Sequence, residues 1–109
     1  MDSKALNFLG LAKRANKLTI GCDSVVDSMA QGKSSLVLMA GDISNNTKKV
    51  ILKNAKAYGV HTIIVKGTKD ELSHALGRLT AVISVDDEGF ARGLELKLAD
   101  DKEECQYDD

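Results

Sequence analysis

The chain has 109 residues, of which 43% are hydrophobic and 28% charged, and its formal net charge is −1. This length suits one domain with a single core, and the composition excludes a fibrous repeat and a wholly disordered chain. Because the sequence has neither a long apolar run nor an N-terminal signal pattern, we expect a soluble cytoplasmic protein with no membrane partner.

The small net charge hides a strong asymmetry along the chain. Residues 1–80 contain twelve Lys and Arg and six acidic residues, whereas residues 81–109 contain three basic and ten acidic residues. A basic body with an acidic end is typical of a protein that binds polyanions, although solvated helix faces produce part of the same pattern. Charge alone therefore leaves nucleic-acid binding and an ordinary charged surface as alternatives.

Helical and strand patterns alternate through the first half of the chain. Apolar residues at i, i+3 and i+4 predict a helix over 3–16 and a second over about 22–30. Short runs of aliphatic and β-branched residues predict strands at 18–20 and 36–40. The second strand is apolar throughout, which is typical of a strand covered by helices on both faces.

The alternation continues to about residue 98. Ser44 is the expected cap of a third helix that ends at Gly59, and a Thr-x-x-Glu capping box at Thr68 predicts a fourth. Strands are predicted at 61–65 and 81–85, and Asp86 or Asp87 is expected to cap a final helix.

This order of elements predicts an α/β fold, a single-domain α-β-α sandwich over residues 1–98. We expect a four-stranded mixed sheet whose strands are mainly parallel. Residues 99–109 contain six acids and little apolar surface, so we expect an acidic disordered tail there.

The sequence lacks the motifs that are typical of nucleotide-dependent enzymes and metal sites. Neither of the glycine-rich phosphate-binding motifs, Gly-x-x-x-x-Gly-Lys-Ser/Thr and Gly-x-Gly-x-x-Gly, occurs. His61 and His74 lack ligand spacing, and Cys22 and Cys105 are too isolated for a metal cluster and are interpreted as reduced thiols. We therefore expect a non-catalytic protein with no metal or cofactor.

Several lysines are instead adjacent to predicted strands. Lys17 and Lys33 precede strands, and Lys66 and Lys69 follow one. Because loops at one edge of an α/β sheet come together, we expect these lysines to form one surface. The helix N-termini after Gly21 and after Thr68 would add backbone N–H donors for phosphate oxygens. Solvated surface lysines remain the alternative.

An ordered series of landmarks carries a family resemblance. Residues 9–18 read LGLAKRANKL, residues 32–33 read GK before the strand LVLMA, and residues 42–49 read DISNNTKK. In this order they resemble the ribosomal-protein L7Ae and L30e family, and especially its small bacterial YlxQ-like branch, over roughly residues 3–98. The resemblance implies an α-β-α sandwich that binds kink-turn RNA, a sharply bent helix–bulge–helix with sheared G·A pairs.

The resemblance also implies where RNA would bind. In the family, the loop after the first strand reads Gly-x-Asn-Glu-x-x-Lys, in which the polar pair reads bases and the lysine meets phosphate. Here Asp23 and Ser24 replace the polar pair and Asp27 replaces the lysine, an anion whose repulsion of phosphate is worth about 1 kcal/mol at an exposed position. The second contact, on the extruded nucleotide, comes from the loop after the third strand.

The sequence thus predicts an RNA-binding site with ten members: Lys17, Gly21, Cys22, Asp23, Ser24, Lys33, Lys66, Gly67, Thr68 and Lys69. The expected partner is a structured RNA, ribosomal or another stable RNA within a ribonucleoprotein of translation, and the protein is expected to be a monomer that associates with the ribosome. The alternative is a protein-interaction module on the same fold, with weakened or lost kink-turn specificity, that meets a basic partner through Asp27 or the acidic tail.

Overall fold

The computed structural model describes residues 3–98, so the predicted acidic tail at 99–109 lies outside the described residues. Helices and strands alternate as predicted: α1 (Ser3–Arg14), β1 (Leu18–Ile20), α2 (Cys22–Ala30), β2 (Leu36–Met39), α3 (Asn45–Tyr58), β3 (Thr62–Ile64), α4 (Lys69–Leu76), β4 (Val82–Val85) and α5 (Glu88–Lys97). The α/β class and the four-stranded mixed sheet are confirmed.

The strand order is β1-β4-β2-β3, and this corrects one prediction. Strands β1, β2 and β3 run in the same direction, but β4 lies between β1 and β2 and runs antiparallel to both. Within residues 3–98, β2 and β3 form the single parallel pair and the other two pairs are antiparallel, so the expectation of a mainly parallel sheet is wrong. Helix α4, which connects β3 to β4, packs against α1, and β4 starts at the end of the sheet where β3 ends.

Helices cover both faces of the sheet, which gives the predicted three layers. On one face, residues from α1, α4 and α5 pack with Leu36 and Leu38 of β2, and on the other, residues from α2 and α3 pack with Val37 and Met39. Alternate residues of β2 thus enter opposite cores, which explains its uninterrupted apolar sequence. No helix within residues 3–98 is long and apolar enough to span a bilayer.

A carboxylate ties three elements together at one end of the sheet. Asp86, which follows β4, accepts hydrogen bonds from Thr19 of β1, from Ser28 of α2 at 2.8 Å and from Ser84 of β4 at 2.6 Å. The Ser84 hydroxyl is fully buried and lies 2.7 Å from that of Ser34, which therefore donates to it. Asp86 is thus an internal acceptor, and the neighbouring Asp87 caps α5 by accepting from the Phe90 N–H at 3.0 Å.

We predict that Asp86→Ala lowers the free energy of unfolding by about 3 kcal/mol, because buried hydroxyls lose a charged acceptor. Asp87→Ala is the matched control, and it should cost only about 1 kcal/mol through loss of a helix cap. Urea denaturation followed by circular dichroism measures both values. Equal losses for the two variants would contradict the linking role of Asp86.

Candidate nucleic-acid interface

The sheet has two ends with different chemistry. Because β1, β2 and β3 run the same way, the residues that follow them share one end, here called the Gly21 edge. Its backbone is joined by hydrogen bonds from the Gly21 N–H to the Val82 carbonyl at 3.2 Å and from the Gly41 N–H to the Gly67 carbonyl at 2.8 Å. The opposite end, here called the Lys33 edge, holds the residues that precede β1 and β2 together with Asp86.

The structure divides the ten predicted site residues between these two ends. Lys17 and Lys33 lie at the Lys33 edge, and Ser24, the third residue of α2, lines a groove with them. The other seven lie at the Gly21 edge, namely Gly21, Cys22, Asp23, Lys66, Gly67, Thr68 and Lys69. The expectation of a single lysine surface is therefore wrong. Lys17 and Lys33 precede their strands whereas Lys66 and Lys69 follow theirs, which places the two pairs at opposite ends.

Helix α2 begins at the Gly21 edge with free backbone donors. Gly21 is its N-cap residue, with φ of 104° and ψ of 147°, and no side chain among residues 3–98 caps the helix. A positive φ of this size strains any residue with a Cβ atom, so the turn requires glycine. The first N–H groups of α2 therefore face outward without a protein acceptor, at the positive end of the helix dipole. This end of α2 is suited to an anion, as the sequence predicts.

Sequence reasoning missed Arg78 as a member of this edge. A Cβ atom placed on Gly21 would lie 4.0 Å from an Nη atom of Arg78, so the guanidinium stands directly over the turn. Arg78 follows Gly77, which has φ of 70° and ends α4, and it precedes Leu79, whose side chain is 68% exposed. The signal available in the sequence was a cation followed by a large apolar residue, between a helix-ending glycine and a strand.

The N-terminus of α4 is closed, which corrects a second expectation. Thr68 and Glu71 form the predicted capping box: Thr68 Oγ1 accepts from the Glu71 N–H at 3.2 Å, and Glu71 Oε1 accepts from the Thr68 N–H at 3.0 Å. Asp42 Oδ1 accepts from the Lys69 N–H at 2.9 Å. These donors are therefore taken by the protein's own side chains and are not available to phosphate. The backbone hydrogen bond from Thr68 lowers the pKa of Glu71, so this carboxylate is charged at neutral pH.

The Lys33 edge contains an open groove of about 420 Å³. Its lining includes Lys17 and Lys33, but also Asp27 and Asp86. Two carboxylates oppose two ammonium groups there, so the groove exerts little net attraction on a polyanion. The Gly21 edge is therefore the better candidate for nucleic acid.

Cys22 is the first residue of α2, and its free thiol is half-buried. A helix N-terminus usually lowers a cysteine pKa. Here burial raises the pKa of Cys22, and the neighbouring Asp23 raises it further. The thiol therefore stays protonated at neutral pH.

We predict that Cys22 is alkylated by iodoacetamide more slowly than free cysteine at pH 7.5, with a reaction midpoint shifted to higher pH, because only the thiolate reacts. The measurement uses a Cys105→Ser chain and follows adduct formation by mass spectrometry from pH 7 to 10. Asp23→Asn should lower the midpoint only in part, since burial is the larger cause. A midpoint at or below that of free cysteine would contradict this description of the helix start.

Comparison with known proteins finds relatives over most of the chain. The family model for the "Ribosomal protein L7Ae/L30e/S12e/Gadd45 family" matches residues 3–95. The chain is 33% identical to the RNA-binding protein YlxQ of Enterococcus faecium, with 82% of this chain and 85% of that protein covered. It is 34% identical to the YlxQ protein of Bacillus subtilis, with 80% and 87% covered. The large ribosomal subunit protein eL30 of Candida glabrata is 31% identical, with 74% and 79% covered.

Solved structures share the fold. A protein of unknown function from Bacillus halodurans C superposes with a TM-score of 0.84 at 34% identity, over 90% of this chain and 99% of that one. The 15.5kD RNA binding protein of Giardia lamblia superposes with a TM-score of 0.70 over 87% and 82% of the two chains. At 19% identity this second likeness shows the fold alone.

Proposed function

Since the chain belongs to the Ribosomal protein L7Ae/L30e/S12e/Gadd45 family, we propose that it is a non-catalytic protein that binds structured RNA of the kink-turn kind at the Gly21 edge. The relatives named RNA-binding protein YlxQ and large ribosomal subunit protein eL30 support RNA as the ligand. The name of the eL30 relative also favours ribosomal RNA, or another stable RNA, as the ligand.

The observation that carries the proposal is the uncapped start of α2 beneath the Arg78 guanidinium. Outward-facing N–H groups and the helix dipole complement one phosphate, and Arg78 adds a fixed positive charge and up to two parallel hydrogen bonds. Gly21 has no side chain to hold the backbone of an RNA away from these amides. The exposed Asp23 carboxylate beside them can accept from the amino group of guanine, adenine or cytosine, a group that uracil lacks.

The proposed site is a revised version of the predicted one. Arg78 joins the seven residues of the Gly21 edge. Lys17, Lys33 and Ser24 are left out because they line the groove at the Lys33 edge. Lys66 is exposed on the β3–α4 loop and supplies a mobile ammonium group for phosphate. Strands in a sheet are about 4.8 Å apart, so the turns after β1 and β3 are separated by about 14 Å. That spacing suits two contacts on one bent RNA.

Asp27 limits how far along α2 the RNA can reach. It is exposed, lies more than one turn after Cys22 and lines the groove at the Lys33 edge. A phosphate beside it would be repelled, so the contact with α2 is confined to its first turn. We therefore propose a weaker dependence on the exact kink-turn sequence than the family motif implies.

The test is filter binding of a kink-turn RNA and of an unkinked control RNA with the same stems, each at two salt concentrations. The proposal expects tighter retention of the kink-turn RNA and a loss of affinity at the higher salt. Equal and negligible retention of both RNAs would overturn it. A pull-down that yields a basic protein partner but no RNA after nuclease treatment would instead favour the protein-interaction alternative.

We predict that Arg78→Gln weakens kink-turn RNA binding about tenfold and lowers the slope of log affinity against log salt by about 1, as expected for the loss of one phosphate contact. Arg92→Gln is the matched control, since Arg92 is exposed on α5, across the sheet from α2. Filter binding at four salt concentrations gives both quantities. The same affinity for the two variants would remove Arg78 from the site.

A further inference from the structure

Helix α3 has a charge distribution that folding alone does not explain. Its fourteen residues include four lysines, Lys48, Lys49, Lys53 and Lys56, and no acid. Lys49 and Lys53 are one i, i+4 step apart, a spacing at which like charges repel each other across a helix surface. Lys48 and Lys49 also lie near the positive end of the helix dipole, where acids are favoured and the first turn has none.

Two of these lysines are free to meet a ligand. Lys49 and Lys53 are exposed, and neither has an ion-pair or hydrogen-bond partner within residues 3–98, whereas Lys48 and Lys56 already interact with other groups. Ile51 and Ala55 hold the opposite side of α3 against the sheet. The lysine face of α3, defined here as Lys49 and Lys53, therefore points away from the core.

This face belongs to a helix that begins at the Gly21 edge. Helix α2 follows β1 and α3 follows β2, so both helices begin at the Gly21 edge and run in the same direction. They also pack side by side, since Val25 and Met29 of α2 share one hydrophobic cluster with Ile51 and Ala55. Packed helices lie about 8–10 Å apart, so an RNA seated on the start of α2 has α3 within reach of its adjoining backbone.

We propose that the lysine face of α3 is a second contact surface for RNA and holds the phosphate backbone of a stem that extends from the Gly21 edge. This inference rests on the proposed function and adds a contact outside the predicted site. Charge complementarity selects the occupant: an RNA stem presents a dense row of phosphates, and the lysine face presents two lysines that have no partner within residues 3–98. The contact is with phosphate, so it adds affinity without sequence preference.

The experiment compares Lys49→Gln/Lys53→Gln with the control Lys13→Gln/Arg92→Gln, which removes the same charge from exposed positions on α1 and α5 across the sheet. Filter binding of the kink-turn RNA is measured at four salt concentrations, with thermal unfolding as a check on folding. The α3 variant should bind about tenfold more weakly than the control, and its salt slope should be lower by about 1 to 2. The preference for kinked over unkinked RNA should not change.

Three outcomes distinguish failure of the α3 inference from failure of the proposed function. Equal affinity and slope for the two double variants would show that α3 contributes only general charge and would overturn the inference. If the unsubstituted protein retains neither RNA, the proposed function itself fails. A third comparison repeats the α3 variant in a chain carrying Asp100→Asn, Asp101→Asn, Glu103→Gln and Glu104→Gln. If the effect disappears there, the lysines act on the chain's own acidic end, and the inference is overturned.

Discussion

The backbone pairing of β4 between β1 and β2 is the constraint on which the proposed interface depends. Ile20 pairs with Ile83, and Met39 pairs with Val82, so the ends of β1 and β2 are both fixed by one strand from the last third of the chain. The Gly21 N–H donates to the Val82 carbonyl, which sets the turn from which α2 starts. The same strand brings Arg78 to that turn. An interface made from residues far apart in sequence is thereby held by main-chain hydrogen bonds and needs little ordering when a ligand arrives.

The N-termini of α2 and α4 both lie at the Gly21 edge, but they differ in their capacity to bind an anion. At α4, the side chains of Thr68, Glu71 and Asp42 take the backbone donors, and two of these residues bring negative charge. At α2, the corresponding donors have no protein acceptor among the described residues. A closed helix start stabilises the protein, whereas an open one leaves hydrogen-bonding capacity for a partner. The contrast separates a structural helix end from one suited to binding.

Local signals predicted the elements well. The caps at Ser44, Thr68 and Asp87 are present as expected, because a cap is decided by residues three positions apart. The strand pairing was not predictable in the same way, since the alternation of helices and strands contains no information about where β4 inserts. That insertion explains the wrong expectation for the sheet. Lys17 and Lys33 are separated from the other candidate lysines because they precede their strands, whereas Lys66 and Lys69 follow theirs. For strands that run in the same direction, this difference can be read from the sequence.

Packing partners were also beyond sequence reasoning. Gly93 looks unfavourable in a helix, yet a Cβ atom there would lie 2.7 Å from Cζ of Phe8. The glycine makes room for the ring, whose centroid is 5.3 Å from that of Phe90. Arg78 was missed for a related reason, because its importance comes from standing over Gly21, 57 positions earlier in the chain. Contacts over such separations are specified by the fold and not by the local pattern.

The position of β4 in the sheet has a consequence for protein synthesis. A nascent chain that has emerged only as far as α3 already carries most of its positive charge, but it lacks the strand that orders the Gly21 turn. During that interval the Gly21 N–H lacks the β4 carbonyl that accepts it, so the start of α2 is not yet held in its folded arrangement. The turn reaches its folded geometry only when residues 82–85 leave the exit tunnel and join the sheet.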